Sequence, residues 1–146
     1  MPIADKTSFT IVLGFDFGTK RIGVAVGNRL TGTAQPLKIL DAREGQPDWD
    51  IVAGLISEWG AGALVVGMPY TADGTETEHL LKVKKFKNRL HGRFGLPVFE
   101  VDEFQSSYES EGFIKGSRES KKKNLDAISA AIILERWLLQ DEMAQI

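Results

Sequence analysis

An acidic residue, Asp16, interrupts an apolar run near the start of the chain. The run, FTIVLGFDF at residues 9–17, is rich in β-branched and aromatic residues and is typical of a buried strand. A charge inside such a strand is unfavourable unless a partner compensates for it. Side-chain alternation places Asp16 on the side of Val12 and Gly14, where the glycine leaves room for a ligand or a metal ion. The alternative explanation is that Asp16 caps the turn that follows the strand.

Two further acids, Glu103 and Asp126, occupy positions suited to chemistry. Glu103 directly follows a predicted strand at residues 97–101, and open α/β sheets bind their ligands at the C-terminal ends of strands. Asp126 falls in the first turn of a predicted last helix, after Asn124 as a candidate N-cap. The ordinary explanation for such an Asp is a favourable helix-dipole interaction of under ~1 kcal/mol. The same helical face carries three inward-looking apolar residues, Ala130, Ile133 and Trp137. An acid buried on that face needs a partner.

The elements that would position these acids alternate in a pattern that predicts an α/β fold. Five strands are predicted from β-branched and aromatic runs, at residues 9–17, 21–27, 33–40, 63–67 and 97–101. Helices are predicted at residues 49–59, 76–94, 106–114 and 124–139. The short connection between the first two strands implies an antiparallel hairpin. The expected architecture is a mixed five-stranded sheet, three antiparallel strands followed by two parallel ones, flanked by helices.

The composition excludes several classes of protein. The 146 residues correspond to one ordinary domain, and we expect residues 1–8 to form a flexible N-terminus. There is no cysteine, which excludes disulfides and thiolate metal sites and fits a reducing cytoplasm. No apolar run is long enough for a signal peptide or a membrane span, so we expect no membrane partner.

Positive charge is concentrated in two stretches, although the formal net charge is only −2. Six of the 18 Lys and Arg residues lie in residues 82–93, where a solvated helix face is the ordinary explanation. Five more lie in residues 115–123, KGSRESKKK, which predict a polar loop just before Asp126. A basic loop beside an acidic centre suits a substrate with many phosphates. The candidate substrate-binding residues are Lys20, Arg21, Lys84, Lys87, Arg118, Lys121, Lys122 and Lys123. Lys20 and Arg21 are equally well explained as exposed turn residues.

A long string, GFDFGTKRIGVAVGNRLTGTAQPL at residues 14–37, resembles the opening of the YqgF family. These are bacterial pre-16S rRNA nucleases that are also described as Holliday-junction-resolvase-like. The resemblance continues in the family's order through VGMPYTADGTE, KFKNRLHGRFGLPV, DEFQSS and LDAISAAIILE, and so covers nearly the whole chain. It implies an RNase H-like fold in which the first strand, the strand before Glu103 and the last helix converge. Asp16, Glu103 and Asp126 would then be the catalytic residues and the metal ligands.

Three carboxylates without cysteine favour Mg²⁺ or Mn²⁺, because these ions prefer hard oxygen ligands. Two such ions can activate a water molecule and stabilise the leaving oxygen of a phosphodiester. The resemblance further implies 5′-end maturation of pre-16S rRNA in ribosomal precursor particles, by a monomer or a weak dimer. The chain departs from the family at Phe104, where the family usually has Arg, and at the Tyr70-Thr71-Ala72 loop. Losing the guanidinium would weaken phosphate binding, because a phenyl ring makes no bidentate hydrogen bonds.

Other functions are compatible with parts of this pattern. A Gly-Phe-Asp-Phe-Gly-Thr hairpin also resembles the phosphate-binding turn of sugar kinases and of actin- or Hsp70-like ATPases. Those proteins enclose the nucleotide between two lobes, and 146 residues leave no room for a second one. A non-catalytic nucleic-acid-binding module or ribosome-assembly factor remains open because of Phe104. A Holliday-junction resolvase acting on branched DNA also remains open, although it would normally need two symmetrically placed active sites.

Overall fold

Six strands form a single mixed sheet in the computed structural model. The model describes residues 9–102 and 118–144, and describes only the backbone of residues 118–125 and 142–144. The strands are β1 (Ile11–Asp16), β2 (Arg21–Asn28), β3 (Thr33–Arg43), β4 (Gln46–Pro47), β5 (Ala63–Met68) and β6 (Val98–Asp102). Their order across the sheet is β4-β3-β2-β1-β5-β6. Neighbours among β1 to β4 are antiparallel, whereas β5 and β6 run parallel to β1. The predicted mixed α/β architecture is confirmed.

In the described part of the chain, helices cover both faces of the sheet: α1 (Trp49–Trp59), α2 (Glu78–Phe94) and α3 (Arg118–Ala144). Side chains at the N-caps accept hydrogen bonds from backbone amides, from Asp50 to Asp48 in α1 and from Leu80 to Thr77 in α2. Both helices end at a glycine in the left-handed conformation, as helices commonly do. In the parts of the chain that the structure describes, no helix combines the length and the apolar character needed to cross a membrane.

Each face of the sheet has its own hydrophobic core. On one face, Leu13 and Phe15 of β1 pack in the same cluster as Val52 of α1 and Phe86 of α2. On the other face, Val12 and its neighbours pack against the apolar side of α3. The α3 residues in that cluster include Ala130, Ile133, Leu134 and Trp137, which confirms the predicted inward face of the last helix. Within the described residues the molecule therefore has three layers, with α1 and α2 on one side of the sheet and α3 on the other.

Two predictions about the elements are wrong. The sheet has six strands instead of five, because a tight turn at Glu44-Gly45 folds the chain after β3 back into the two-residue strand β4. The last helix begins at Arg118 instead of Asn124, so residues 118–123 are helical and do not form a loop. Asp126 consequently lies well inside α3, where neither an N-cap nor the first-turn dipole explains it. The predicted helix at residues 106–114 and the N-terminal residues 1–8 lie outside the described residues.

Candidate active site

Asp16 is the last residue of β1, on the sheet face that α3 covers. Val12 belongs to the core beneath α3, and a Cβ on Gly14 would lie 2.4 Å from Leu134 Cγ. Alternation along the strand therefore places Asp16 on the same face, as the sequence predicts. Its side chain is half-buried, in contrast to the fully buried residues before it. The carboxylate thus stands where the core on the α3 face ends and solvent begins.

Asp126 lies directly above the strand that neighbours Asp16. Gly23 of β2 is the cross-strand partner of Asp16, and a Cβ on Gly23 would lie 1.9 Å from the backbone oxygen of Asp126. Cross-strand Cα atoms are about 4.5–5.5 Å apart, so the Asp16 Cα and the Asp126 backbone oxygen lie within about 9 Å. Both side chains are half-buried. The structure therefore brings together two of the three acids that the sequence singles out.

Arg21, the first residue of β2, forms an ion pair with Asp126. Its Nε donates a hydrogen bond to Asp126 Oδ2 over 3.0 Å, and both side chains are less than a third exposed. This bond uses the Nε donor of the guanidinium, and the two terminal amines carry further N–H donors. Arg21 is therefore held beside the acids by a contact that the sequence does not reveal. Lys20, next to it in the turn, instead lines a cavity between this turn and α2.

A glycine also lies on the other side of Asp16. The register pairs Phe15 with Val66, which places Asp16 level with Gly67 of β5. Gly67 in turn pairs with Val101 of β6, which belongs to the core under α3. On this face the residue between Asp16 and β6 is therefore Gly67, which has no side chain and is buried. Strand β6 ends one residue later, at Asp102, and Glu103 lies outside the described residues.

The carboxylates of Asp16 and Asp126 fit a hard divalent cation. Both carboxylates offer oxygen donors at the end of the same sheet face, where the neighbouring residues on β2 and β5 are glycines without side chains. Within residues 9–102 and 118–144, no three acidic or histidine side chains are grouped closely enough to hold a metal by themselves. Any third ligand from a protein side chain would lie outside these ranges, and Glu103 is the next residue after β6.

The lysines of α2 that the sequence proposes for substrate binding are engaged with acids. Lys84 Nζ lies 2.5 Å from Glu76 Oε2, and Lys87 Nζ lies 2.6 Å from Glu100 Oε2. Glu100 also accepts a hydrogen bond from the hydroxyl of Tyr70. Burial opposes ionisation of Glu100, but the bonds from Lys87 and Tyr70 outweigh it and lower the pKa of this carboxyl. Tyr70, which stands in the loop that differs from the family, thus belongs to a polar cluster with Glu100 and Lys87 on the α2 face.

Other cations of α2 have positions that the sequence reasoning did not assign. Lys82, Lys85 and Arg89, with the i, i+3, i+7 spacing of one helix face, line an open cavity together with Lys20. That spacing is visible in the sequence and could have identified them. Arg93 instead stacks over the ring of Trp49, with its guanidinium carbon 4.4 Å from the ring centroid. The remaining predicted cations, Arg118, Lys121, Lys122 and Lys123, lie in the first turns of α3.

The fold is similar to that of RuvC, a resolvase from Thermus thermophilus. The RuvC structure in complex with a Holliday junction substrate has a TM-score of 0.53 and 18% sequence identity, and covers 91% of this chain and 96% of that one. A second T. thermophilus RuvC structure has a TM-score of 0.50 and 14% identity over 91% and 96% of the two chains. The architecture is therefore that of the RNase H-like class to which such resolvases belong.

The sequence comparison defines the family within that class. Residues 10–140 match the family described as "RuvX: Holliday junction resolvase", and the chain belongs to this family. A curated relative from Azotobacter vinelandii, named "Putative pre-16S rRNA nuclease", is 45% identical over 89% of this chain and 94% of its own. Another of the same name from Legionella pneumophila is 46% identical over 90% and 97% of the two chains. The resemblance to the YqgF family is thereby confirmed, and the chain is an enzyme of the nuclease class.

Proposed function

We propose that this protein is a metal-dependent endonuclease that hydrolyses phosphodiester bonds of pre-16S rRNA, in maturation of its 5′ end. The observation that carries the proposal is the approach of Asp126 to Asp16 across Gly23. These two half-buried acids lie at the end of one sheet face. They suit cation binding, and both the class of fold and the names of the relatives point to nucleic-acid cleavage.

Asp16 and Asp126 would hold Mg²⁺ or Mn²⁺, with Glu103 as the third ligand. Bound metal ions would supply the activated water and the stabilisation of the leaving oxygen, so that no side chain has to act as nucleophile. Glu103 follows β6 directly. Across the sheet, Asp16 lies level with Val101 of β6, which is two residues before Glu103. Strands β1 and β6 are two strand spacings apart, about 10 Å. The side chains of two carboxylates can reach across that distance to bind one cation.

Arg21 would contact the scissile phosphate. Its Nε is fixed by Asp126, and the terminal amines supply further donors of the geometry that suits a phosphate oxygen. An arginine anchored in this way loses less conformational entropy on binding substrate than a mobile one. The acid thereby positions the guanidinium, and the guanidinium compensates for the acid when no metal is bound.

The rest of the substrate would be bound through its phosphates. Lys20 is close in sequence to Asp16, and the basic residues Arg118 and Lys121 to Lys123 are close in sequence to Asp126. They would bind phosphates of the substrate on either side of the cleavage site. Lys84 and Lys87 would contribute only if phosphates displace Glu76 and Glu100. Ribosomal precursor particles in the cytoplasm would be the place of action. The family description favours a second candidate, cleavage of four-way DNA junctions.

Cleavage assays with two substrates test the proposal. A pre-16S rRNA fragment and a four-way DNA junction are each incubated with Mg²⁺, with Mn²⁺ or with EDTA. We expect metal-dependent cleavage of the RNA by the wild type, and a loss of at least about 100-fold in Asp16→Asn and Asp126→Asn, since both remove a metal ligand. Asp50→Asn makes the same chemical change in the exposed first turn of α1 and should leave the rate unchanged.

Each other outcome points to a different function. Unchanged cleavage by Asp16→Asn refutes the catalytic assignment, and cleavage of the junction alone identifies a resolvase. A protein that binds RNA without cutting it under any metal condition is the non-catalytic module. Circular dichroism of each variant excludes loss of folding as the cause.

A further inference from the structure

An open cavity of about 520 Å³ lies beside the turn between β1 and β2, next to the end of the strand that carries Asp16. Its walls come from this turn, from the β3–β4 turn and from α2. Phe17, Thr19 and Lys20 line it, together with Glu44, Gly45, Lys82, Lys85 and Arg89. Phe17 and α2 belong to the core opposite α3, so the cavity opens on the other side of the sheet from Asp126.

The two turns are fixed to each other by backbone contacts. Ala42 N donates to Lys20 O over 2.8 Å, and Gly45 N donates to Thr19 O over 3.0 Å. Gly45 also packs closely on Phe17, since a Cβ there would lie 2.8 Å from the ring. The base of the cavity is therefore preorganised, which lowers the entropic cost of binding a ligand.

The cavity carries a clear excess of positive charge. Four of its lining residues are cations and one, Glu44, is an acid. Lys82 has a weak partner, Glu78, at 3.8 Å on the exposed helix surface. Among the residues that the structure describes, Lys85 and Arg89 have no acidic partner within 4 Å, in contrast to Lys84 and Lys87. Concentrated like charges repel each other in the free protein, and an anion in the cavity would relieve that repulsion.

Glu44 has an unusual backbone conformation. Its φ is +50°, and that of Gly45 is +81°, as a two-residue turn of type I′ between β3 and β4 requires. Glutamate is a poor residue for this position, which favours Asn, Asp or Gly. Strained residues of this kind are concentrated at binding sites and switches. Here the strained residue places an acid at the rim of the basic cavity.

We propose that this cavity is a second phosphate site, which binds a backbone phosphate of the nucleic-acid strand next to the cleavage site. The proposal rests on the proposed nuclease function. Lys20 follows Asp16 by four residues, so their Cα atoms are at most about 14 Å apart, which is about four base-pair rises of 3.4 Å along the axis of a DNA double helix. Phe17, the aromatic residue of the cavity, is only 6% exposed and offers no stacking surface for a base. The cavity would therefore fix the position of the strand without reading its sequence.

Salt-dependent binding tests this site without relying on cleavage. A fluorescein-labelled RNA hairpin is titrated with the full-length protein in EDTA at several KCl concentrations, and binding is followed by fluorescence anisotropy. Lys85→Ala and Arg89→Ala should each weaken binding and make the slope of log K against log[KCl] less negative by about 0.7–0.9, the value for one phosphate contact. Lys38→Ala removes the same charge from β3 outside the cavity and should leave the slope unchanged.

Glu44→Gln provides a test of opposite sign. It removes the negative charge and keeps the length of the side chain, so it should tighten binding, whereas general damage to the fold would weaken it. Lys20 is less informative, because it also lines a neighbouring cavity that contains Asp41 and Asp48. An unchanged slope in both α2 variants overturns the second site, even if the enzyme cuts normally. If the protein never cuts RNA but the two variants show the altered slopes, the nuclease proposal is refuted and the second phosphate site is not.

Discussion

The backbone carbonyl of Asp126 in α3 lies so close to Gly23 in β2 that a Cβ on Gly23 would be 1.9 Å from its oxygen. Helix and strand meet here backbone to backbone, whereas two turns later they are separated by side chains such as Ile133 and Leu134. The contact brings Asp126 level with Asp16, the cross-strand partner of Gly23. A glycine without catalytic chemistry therefore determines how closely the two acids approach each other.

We predict that Gly23→Ala lowers both stability and activity. The clash is with main-chain atoms of Asp126 and Ala127, which no rotamer change can relieve, so α3 has to shift. Overpacking of this kind costs about 1–3 kcal/mol. Urea unfolding should show this loss, and cleavage should fall more than the unfolded fraction explains. Gly54→Ala is the matched control: nothing lies within 4 Å of that position in α1, and Ala there should stabilise by about 0.5–1 kcal/mol. A stable and fully active Gly23→Ala would mean that the spacing is unimportant.

Much of this arrangement can be predicted from local sequence. Asp16 stands out because a single acid interrupts an apolar strand, and alternation alone gives its correct face. The inward face of α3 follows equally from the spacing of Ala130, Ile133 and Trp137. These features depend on the regular repeat of side-chain direction along a strand or a helix, which can be read from a short stretch of sequence.

The remaining features depend on contacts between distant segments. The sequence predicts the start of α3 at Asn124 and not at Arg118, because KGSRESKKK has no apolar period. Asp126 therefore lies in the first turn of the predicted helix but well inside the observed one. The ion pair between Arg21 and Asp126 joins residues 105 positions apart, and nothing in either segment indicates it. The sequence does not predict the β3–β4 turn, because Glu44 stands at a position with positive φ where Asn-Gly is the usual signal.

We predict that Arg21→Ala strengthens metal binding while it weakens catalysis. Arg21 competes with a cation for the carboxylate of Asp126, and a partly exposed pair of this type contributes up to about 1 kcal/mol, or about a fivefold change in Kd. Calorimetric titration with Mn²⁺ should therefore show tighter binding than in the wild type. The rate with RNA should fall, because the phosphate contact is lost. Arg43→Ala, an exposed arginine of β3, is the control and should alter neither quantity. Weaker Mn²⁺ binding in Arg21→Ala would argue against Asp126 as a ligand.

We predict that Glu44→Asn stabilises the protein. A residue other than Gly or Asn in the left-handed region costs about 1–2 kcal/mol, and Asn followed by Gly is the favoured pair for a type I′ turn. The free energy of unfolding in urea should rise by up to about 1 kcal/mol. Glu44→Gln keeps the unfavourable backbone preference and should stay within about 0.5 kcal/mol of the wild type. Equal stability of the two variants would show that the turn is not strained by its side chain.

We predict that the hydrogen bond from Tyr70 to Glu100 makes stability depend on alkaline pH. The bond, together with burial and the charge of Glu100, raises the pKa of Tyr70 to about 12, from 10.0 for an ordinary tyrosine. Because the folded pKa is higher than the unfolded one, this contribution to stability is complete below about pH 10 and is lost as the pH rises to about 12. The difference in free energy of unfolding between wild type and Tyr70→Phe should therefore be constant up to about pH 10 and decrease above it. Spectrophotometric titration of Tyr108→Phe, which leaves Tyr70 as the only tyrosine, measures the pKa directly. A midpoint near 10 in that titration would show that the bond to Glu100 does not persist in solution.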